Sequence, residues 1–498
     1  MAIAPAAPAG EAPAGGQSYR SPAYRGYVLL SLTLVYTLNF IDRNLLGVIA
    51  QPIIAEFGLS DTEFAFLNGF PFALFYALMG IPIAMAADRY NRVAIMALCI
   101  AIWSLMTALC GFASSFVFLL IARVGVAIGE AGGTPPSNSI IADYFKPKSR
   151  ANALGIFAMG VTIGGALASG FGGPIAQLTD ETVVNFFASV GVGDIHEQLG
   201  WGENFGWRFA FIALGLPGLV IALILFLTVK EPPRGFSDPP GVQRVQKASI
   251  IETLKELGSK PTFWTMAVGA SLVALVGYGL FSFQAPMMQR VHGIGPGDFA
   301  LRYGVPLALM SAVGTFAGGF LSEKLSSKSP SAAAWLPAVG LLLAIPLYIW
   351  GFYMEPGTPQ LLVWGAGAAA HYSYLGAQYT IGQGVVSQRS RATAIAVLLV
   401  IIALIGNGLG PQIVGSLSDM LMRMQIEAAG MGDTLTNAVC RARDLSALPP
   451  DQQAICTTAY GEGVRQSMAA TVLFFIPAAA FYLIASLTLK KDMVAKPV

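Results

Sequence analysis

Apolar runs dominate the chain and set its plan. They fall near residues 26–50, 63–87, 93–113, 116–142, 151–177 and 207–229, and resume near 262–285, 301–323, 332–354, 360–386, 392–419 and 466–489. About 20 apolar residues carry a helix across a bilayer, so this pattern predicts an all-α integral membrane protein with twelve transmembrane helices. The runs split into two groups of six around a polar stretch. The predicted parts are a disordered arm over 1–25, a six-helix bundle over 26–230 and a linker over 231–260. A second bundle over 261–489 and a tail over 490–498 complete the chain. The linker holds an amphipathic stretch, Ile250-Ile251-Glu252-Thr253-Leu254-Lys255-Glu256-Leu257, expected to lie as a surface helix between the halves.

Composition supports this plan. The chain is 55% hydrophobic and 11% charged, with a mean hydropathy of +0.64. Soluble domains are about a quarter charged. A net charge of only +2 gives no case for nucleic acid. Residues 1–22, rich in Ala, Pro and Gly, read as disordered and lack the compact apolar core of a signal peptide. The 4 cysteines form no Cys-x-x-Cys or Cys/His cluster, so neither a disulfide scaffold nor a metal is expected. Cys99 and Cys110 sit in an apolar run, whereas Cys440 and Cys456 share a polar loop and leave a disulfide and free thiols both open.

Lys and Arg in short loops mark the cytoplasmic side of a membrane protein. Arg89, Arg92, Lys146, Lys148, Arg150, the linker, Lys324, Lys328, Arg389, Arg391, Lys490 and Lys491 share one side. The loops near 51–61, 178–206 and 355–359 lack both residue types. Both termini are therefore expected in the cytoplasm, and the absence of an Asn-x-Ser/Thr acceptor fits a bacterial inner membrane.

The halves repeat. Lys148-Ser149-Arg150-Ala151-Asn152-Ala153 opens the fifth run and Gln388-Arg389-Ser390-Arg391-Ala392-Thr393-Ala394 the eleventh. Ala87-Asp88-Arg89 closes the second and Ser322-Glu323-Lys324 the eighth. Such repeats mark secondary transporters, whose substrate site lies between the halves near the midplane.

The first run carries the candidate chemistry. In Tyr36-Thr37-Leu38-Asn39-Phe40-Ile41-Asp42-Arg43-Asn44 an acid and a base stand side by side at membrane depth, where charge is costly and marks proton relays or substrate paths. At about 1.5 Å per residue, Asp42 lies roughly 12 Å and Arg123 roughly 10 Å from the outer end of its helix, so the two come to similar depth. Glu130 lies two turns from Arg123 on the same face. Arg43 shares its face with Tyr36 and Asn39. A proton-coupled anion site and a permanent ion pair pinning two helices both fit these residues. His371, Tyr278 and Tyr36 are candidate substrate contacts, with buried packing the alternative for the lone His371. Arg302 reads either as a functional cation or as a side chain snorkelling to the interface. The glycines at 160, 164, 165, 170, 172 and 173, and at 406, 408, 410 and 415, let helices approach closely. No Gly-x-x-x-x-Gly-Lys-Ser/Thr sequence is present, which argues against direct ATP drive, and no His-x-x-x-x-Asp cluster suggests an enzyme.

Ala84-Met85-Ala86-Ala87-Asp88-Arg89-Tyr90-Asn91-Arg92 resembles the Gly-x-Leu-Ala-Asp-Arg-x-Gly-Arg motif of the major facilitator superfamily, with Ala84 and Asn91 in place of glycines. Gly319-Phe320-Leu321-Ser322-Glu323-Lys324 is a degenerate second copy. Asp42-Arg43, Arg123-Val124-Gly125-Val126-Ala127-Ile128-Gly129-Glu130-Ala131, Ile141-Ala142-Asp143-Tyr144-Phe145 and Trp207-Arg208-Phe209-Ala210-Phe211 are similar to the spinster family of lipid transporters. The resemblance implies two pseudo-symmetric bundles around a cavity lined by helices one, four, seven and ten. It implies a cytoplasmic gate of Asp88, Arg89, Arg92, Asp143 and Arg150, with Asp88 meeting the start of helix eleven when that side closes. It also implies a proton-coupled carrier: Asp42 and Glu130 handle the proton, and Arg43, Arg123, Tyr36, Asn39, Tyr278 and His371 contact an anionic lipid such as a lysophospholipid or sphingoid phosphate. No cofactor beyond the proton gradient is expected, and the working unit is expected to be a monomer among membrane lipids. An organic-anion or sugar-acid symporter, a multidrug exporter and a scramblase-like conduit are the competing functions.

Overall fold

The computed structural model describes residues 21–198, 201, 205–237, 249–326, 329–442 and 444–494. Its spans, numbered α1 to α12, begin with α1 (Pro22–Val48, continued by Ala50–Phe57), α2 (Asp61–Arg89), α3 (Arg92–Cys110), α4 (Phe116–Tyr144), α5 (Pro147–Leu167, continuing through Gly173–Ala176) and α6 (Gly206–Thr228). A linker helix, Ile250–Gly258, leads to α7 (Pro261–His292), α8 (Pro296–Ser326), α9 (Ala332–Tyr353), α10 (Thr358–Tyr372, then Tyr374–Gly384), α11 (Thr393–Ala428) and α12 (Pro450–Asp492). Among the described residues, 10 of these helices are long and apolar enough to cross a membrane. The others, α1 and α10, carry Asn39, Asp42, Arg43 and Asn44, and His371 and Gln378, whose polarity offsets their apolar neighbours.

Three boundaries differ from the hydropathy reading. Helix α1 starts at Pro22, inside the expected arm, because Ser21 accepts a hydrogen bond from the Tyr24 amide and Pro22 opens the first turn. Residues 1–20 lie outside the described residues. The polar stretch 420–465 is largely helical: α11 runs on to Ala428 and α12 already begins at Pro450. These polar extensions pack Met422, Ile426, Leu435, Cys440, Cys456 and Ala459 into a small cluster of their own, separate from the main core. A Cys440–Cys456 disulfide closes it. Asn91, replacing a motif glycine, caps α3 by accepting from the Ala94 amide at 2.8 Å.

The linker and both terminal helices' outer ends share one end of the bundle, here the linker side. Among the described residues, hydrogen bonds between the halves concentrate at the opposite, far side. Arg290 forks onto Asp61 with both contacts at 2.7 Å. Ser418 donates to Asp61, and Asp419 accepts from the Thr62 amide at 3.0 Å and hydroxyl at 2.6 Å. Gln51 reaches Arg290 and Tyr460, and Asn68 donates to Ser282. Gly415 permits this closure, since a Cβ there would sit 2.8 Å from that of Ala65. On the linker side Asp88 is 79% exposed, and its charged neighbour is Arg234 at 3.9 Å rather than α11. The cleft between the halves is thus shut at the far side and open at the linker side.

Candidate functional site

Helix α1 packs along α5, and Gly164 makes the approach possible: a Cβ there would lie 2.6 Å from that of Phe40. This contact fixes the rotation of α1 and turns Asp42 into the N-terminal half. Helix α4 breaks at Ala131–Gly133, just before Thr134 and two prolines that cannot donate backbone hydrogen bonds. Glu130 is the last residue before the break.

Arg43 Nε donates to Glu130 Oε2 at 2.5 Å, joining α1 to α4. Glu130 is fully buried while the Arg43 side chain keeps 17% of its surface open. The Arg43 guanidinium lies 4.4 Å from the Tyr76 ring centroid and 5.5 Å from that of Phe72. Tyr36 and Tyr278 lie near it, and Tyr379 lies near those two tyrosines; Tyr278 and Tyr379 are the exposed members at 37% and 39%. Tyr36 itself stacks on Phe157 of α5 at 4.3 Å.

Asp42 and Arg123 are both buried deeper in the half. Arg123 reaches the Asp42 backbone carbonyl at 3.4 Å, and its guanidinium sits over Phe72. The Asp42 carboxylate lies beside Thr107 and forms no ion pair with a described residue. Asn39 is buried beside Glu130. The Asn39 amide, Thr107 hydroxyl, Arg123 Nε and Glu130 Oε1 are buried atoms without a hydrogen-bond partner. The group is a buried polar cluster with one arginine reaching the cleft.

Sequence reasoning brought Asp42 and Arg123 to similar depth and put Glu130 two turns deeper on the face of Arg123; the structure joins Arg123 to the Asp42 carbonyl and Arg43 to Glu130. It did not see that Arg43, rather than Arg123, takes Glu130. His371 is not on the cleft wall as expected. It is 2% exposed, with Nδ1 3.1 Å from the Tyr348 hydroxyl and the Phe475 ring tilted against it at 4.8 Å between centroids. Because α10 is close enough to α7 for the ring to rest on Gly277, His371 points into the packing of the C-terminal half. Tyr76, Phe72, Thr107 and Tyr379 were missed. Spacing carried a signal for three of them: Phe72 and Tyr76 are four apart, and Tyr379 follows Tyr372 by seven, so each pair shares a helix face.

The expected gate residues cluster at the linker-side end of the N-terminal half, where Arg92, Asp143 and Arg150 contact that half and the start of the linker. Arg92 binds Asp143 at 2.5 Å, Glu231 at 2.6 Å and the Pro232 carbonyl at 2.8 Å. Gly235 donates to Asp143, and Arg150 donates to the Phe145 carbonyl. Asp88 and Arg89 are exposed. Trp207 and Arg208 brace the far end instead. Both bind Glu56 at the end of α1, and Arg208 also reaches the Gly111 and Ala113 carbonyls. Arg302 is 72% exposed and pairs with Asp298 at 3.3 Å. No group of three or more metal-ligating side chains occurs among the described residues.

The Major Facilitator Superfamily profile matches residues 32–411. Among solved structures, the chain is similar to a bacterial homolog of the human lysosomal transporter spinster in an inward-facing, unoccupied conformation. Identity is 54% and the TM-score 0.89, over 96% of this chain and 100% of that one. The chain is also 31% identical over 396 residues to an MFS-type efflux pump of Mycolicibacterium smegmatis, covering 78% of this chain and 83% of the pump. To protein spinster of Drosophila melanogaster it is 26% identical over 408 residues, 80% of this chain and 62% of the fly protein. Twelve helices in two halves, the buried charge cluster within the first of them and these matches agree: the chain belongs to the major facilitator superfamily and is related to its spinster branch.

Proposed function

We propose that this protein is a proton-coupled transporter working by alternating access, with an amphipathic anionic lipid such as a lysophospholipid or sphingoid phosphate as its substrate. The observation that carries the proposal is the Arg43–Glu130 pair, its arginine partly open to the cleft and its glutamate buried, beside a buried Asp42 that forms no ion pair with a described residue. A guanidinium fork suits a phosphate or carboxylate headgroup. With Glu130 ionised, Arg43 is held against α4. A proton on Glu130 releases Arg43 to an anion in the cleft, and loss of that proton recaptures the arginine and frees the anion. Asp42, one residue away, is the second proton site. Tyr36, Tyr76, Tyr278 and Tyr379 offer aromatic surface for an apolar tail and hydroxyls for its headgroup. The similarity to a structure described as a homolog of spinster supports the lipid reading. The Lys and Arg bias supports a cytoplasmic linker side in a bacterial inner membrane, which makes the present state inward-facing.

Ligand-driven thermal stabilisation tests this reading, because a ligand that binds the native state raises its melting temperature by mass action. Lysophospholipid, sphingoid phosphate, short organic acids and sugars are compared at about pH 5.5 and about pH 7.5. Selective, pH-dependent stabilisation by the lipids that disappears in Arg43→Ala is expected. Stabilisation by a small acid alone sinks the lipid assignment and moves the function to organic-anion symport. The resemblance to an efflux pump favours a second reading, drug export through the same cleft. Stabilisation by cationic amphiphiles that survives Arg43→Ala would establish that one instead.

A further inference from the structure

We infer that the disulfide-closed unit joining α11 to α12 is the lock that holds the far side shut, with Asp419, Arg441 and Tyr460 as its positioning residues. The apolar runs end near 419 and resume near 466, so this unit stands outside the hydrocarbon region. It has its own small core and its own covalent closure.

Each cysteine stands next to a residue that leads to the gate. Arg441 follows Cys440, and its guanidinium binds Asp419 at 2.6 Å. Asn437, three residues before Cys440, donates to the Asp419 carbonyl at 2.7 Å. Asp419 is thereby held on both its side chain and its backbone. Its carboxylate takes the Asp61 amide at 3.2 Å, the Thr62 amide at 3.0 Å and the Thr62 hydroxyl at 2.6 Å. These are first-turn donors of α2, which have no partner within their own helix. A carboxylate of one half thus caps a helix of the other, where the helix dipole favours negative charge.

The second arm runs through α12. Tyr460 lies one turn beyond Cys456, on the same face. Its ring centroid is 3.8 Å from the Arg290 guanidinium, and its hydroxyl accepts from Gln51 at 3.1 Å. Arg290 in turn forks onto Asp61. Both arms end on Asp61 and Thr62 at the start of α2, and the Cys440–Cys456 bond joins the arms. Opening the far side requires both arms to let go, and the disulfide keeps one from loosening without the other.

The lock rests on alternating access but on neither the lipid nor the proton assignment, so its test omits substrate. Nitroxides are attached to p-acetylphenylalanine at Val192 and Glu355, exposed far-side positions in opposite halves. This leaves every cysteine native. Distance distributions are measured by pulsed electron resonance in Cys440→Ser/Cys456→Ser, in Arg441→Ala and in Asp419→Asn. Each is expected to raise the long-distance, far-side-open population by roughly five-fold or more, the low end of typical allosteric couplings. Wild-type distributions in Arg441→Ala and Asp419→Asn refute the lock. If the double serine variant does not fold, those two, which keep the disulfide, decide the matter.

Discussion

Arg43 and Glu130 are 87 residues apart in sequence, yet they meet at 2.5 Å between two helices, while Asp42, the neighbour of Arg43, turns away into the half. One helix turn therefore presents a base to the cleft and an acid to the interior. Glu130→Gln removes the anchor of Arg43 but keeps the shape. Transport by this variant in proteoliposomes is expected to lose its dependence on a pH gradient and to fall about ten-fold or more, by the roughly 1.5–3 kcal/mol of a charged hydrogen bond. Binding should survive, since Arg43 is then free for an anion. Asp42→Asn is expected to keep binding and lose gradient-driven accumulation. Undiminished accumulation in both variants would remove these carboxylates from the coupling mechanism.

The far-side pair gives a stability prediction. Arg290 and Asp61 are 2% and 1% exposed at the side chain. Asp61→Ala leaves the arginine buried without its partner, a loss of about 3–5 kcal/mol for buried pairs in general. A lower melting temperature in detergent is expected, and a melting curve like that of the wild type would show the closure to be marginal.

Gly164 tests the packing that orients the site. Gly164→Leu forces α1 off α5 where a Cβ already meets Phe40. Overpacking of this kind costs about 1–3 kcal/mol. Because Asp42 and Arg43 ride on α1, ligand stabilisation should fall in step with melting temperature. Gly155→Leu, with nothing within 4 Å of a Cβ, should do neither.

The linker helix carries a pH prediction. Burial pushes the Glu256 carboxyl up, but hydrogen bonds from the Ser390 hydroxyl and from the Ser387 amide and hydroxyl outweigh it and hold the group below the usual glutamate range. A carboxyl depressed on docking stabilises the docked state fully above its undocked pKa and loses that contribution as pH falls through the docked one. Hydrogen exchange of residues 250–258, normalised for intrinsic rate, should therefore show constant protection near neutrality and a decline in acid. In Glu256→Gln the decline should be absent, with protection lower near neutrality and converging on that of the wild type in acid. An acid decline that persists in Glu256→Gln would point to another titrating group.

The spacing of apolar runs and their six-and-six division made the two halves legible in the sequence, because a bilayer imposes one length and one polarity on every span. The shared face of Tyr36, Asn39 and Arg43 was legible for the same reason, helical period. The partner of Glu130 was not, because depth along two helices says nothing about which way each is rotated; Gly164 and the α4 break decide that. His371 was left open between substrate contact and packing for a related reason: a lone histidine on an apolar helix looks alike whether it faces a cleft or Tyr348. The helical extensions of α11 and α12 were hidden because their sequence is polar, and hydropathy sees only what the membrane requires.

Arg43, Arg123, Asp42 and Glu130 sum formally to zero charge, two cations against two carboxylates. One added proton makes the cluster a monocation, which a singly charged headgroup neutralises. A proton and such an anion travelling together are then electrically silent, and the membrane potential neither helps nor opposes them. In exchange, inward proton against outward anion, each cycle moves two charges in the same electrical sense, worth about 4.6 kcal/mol per 100 mV. The even balance of this cluster makes voltage a readout of transport direction.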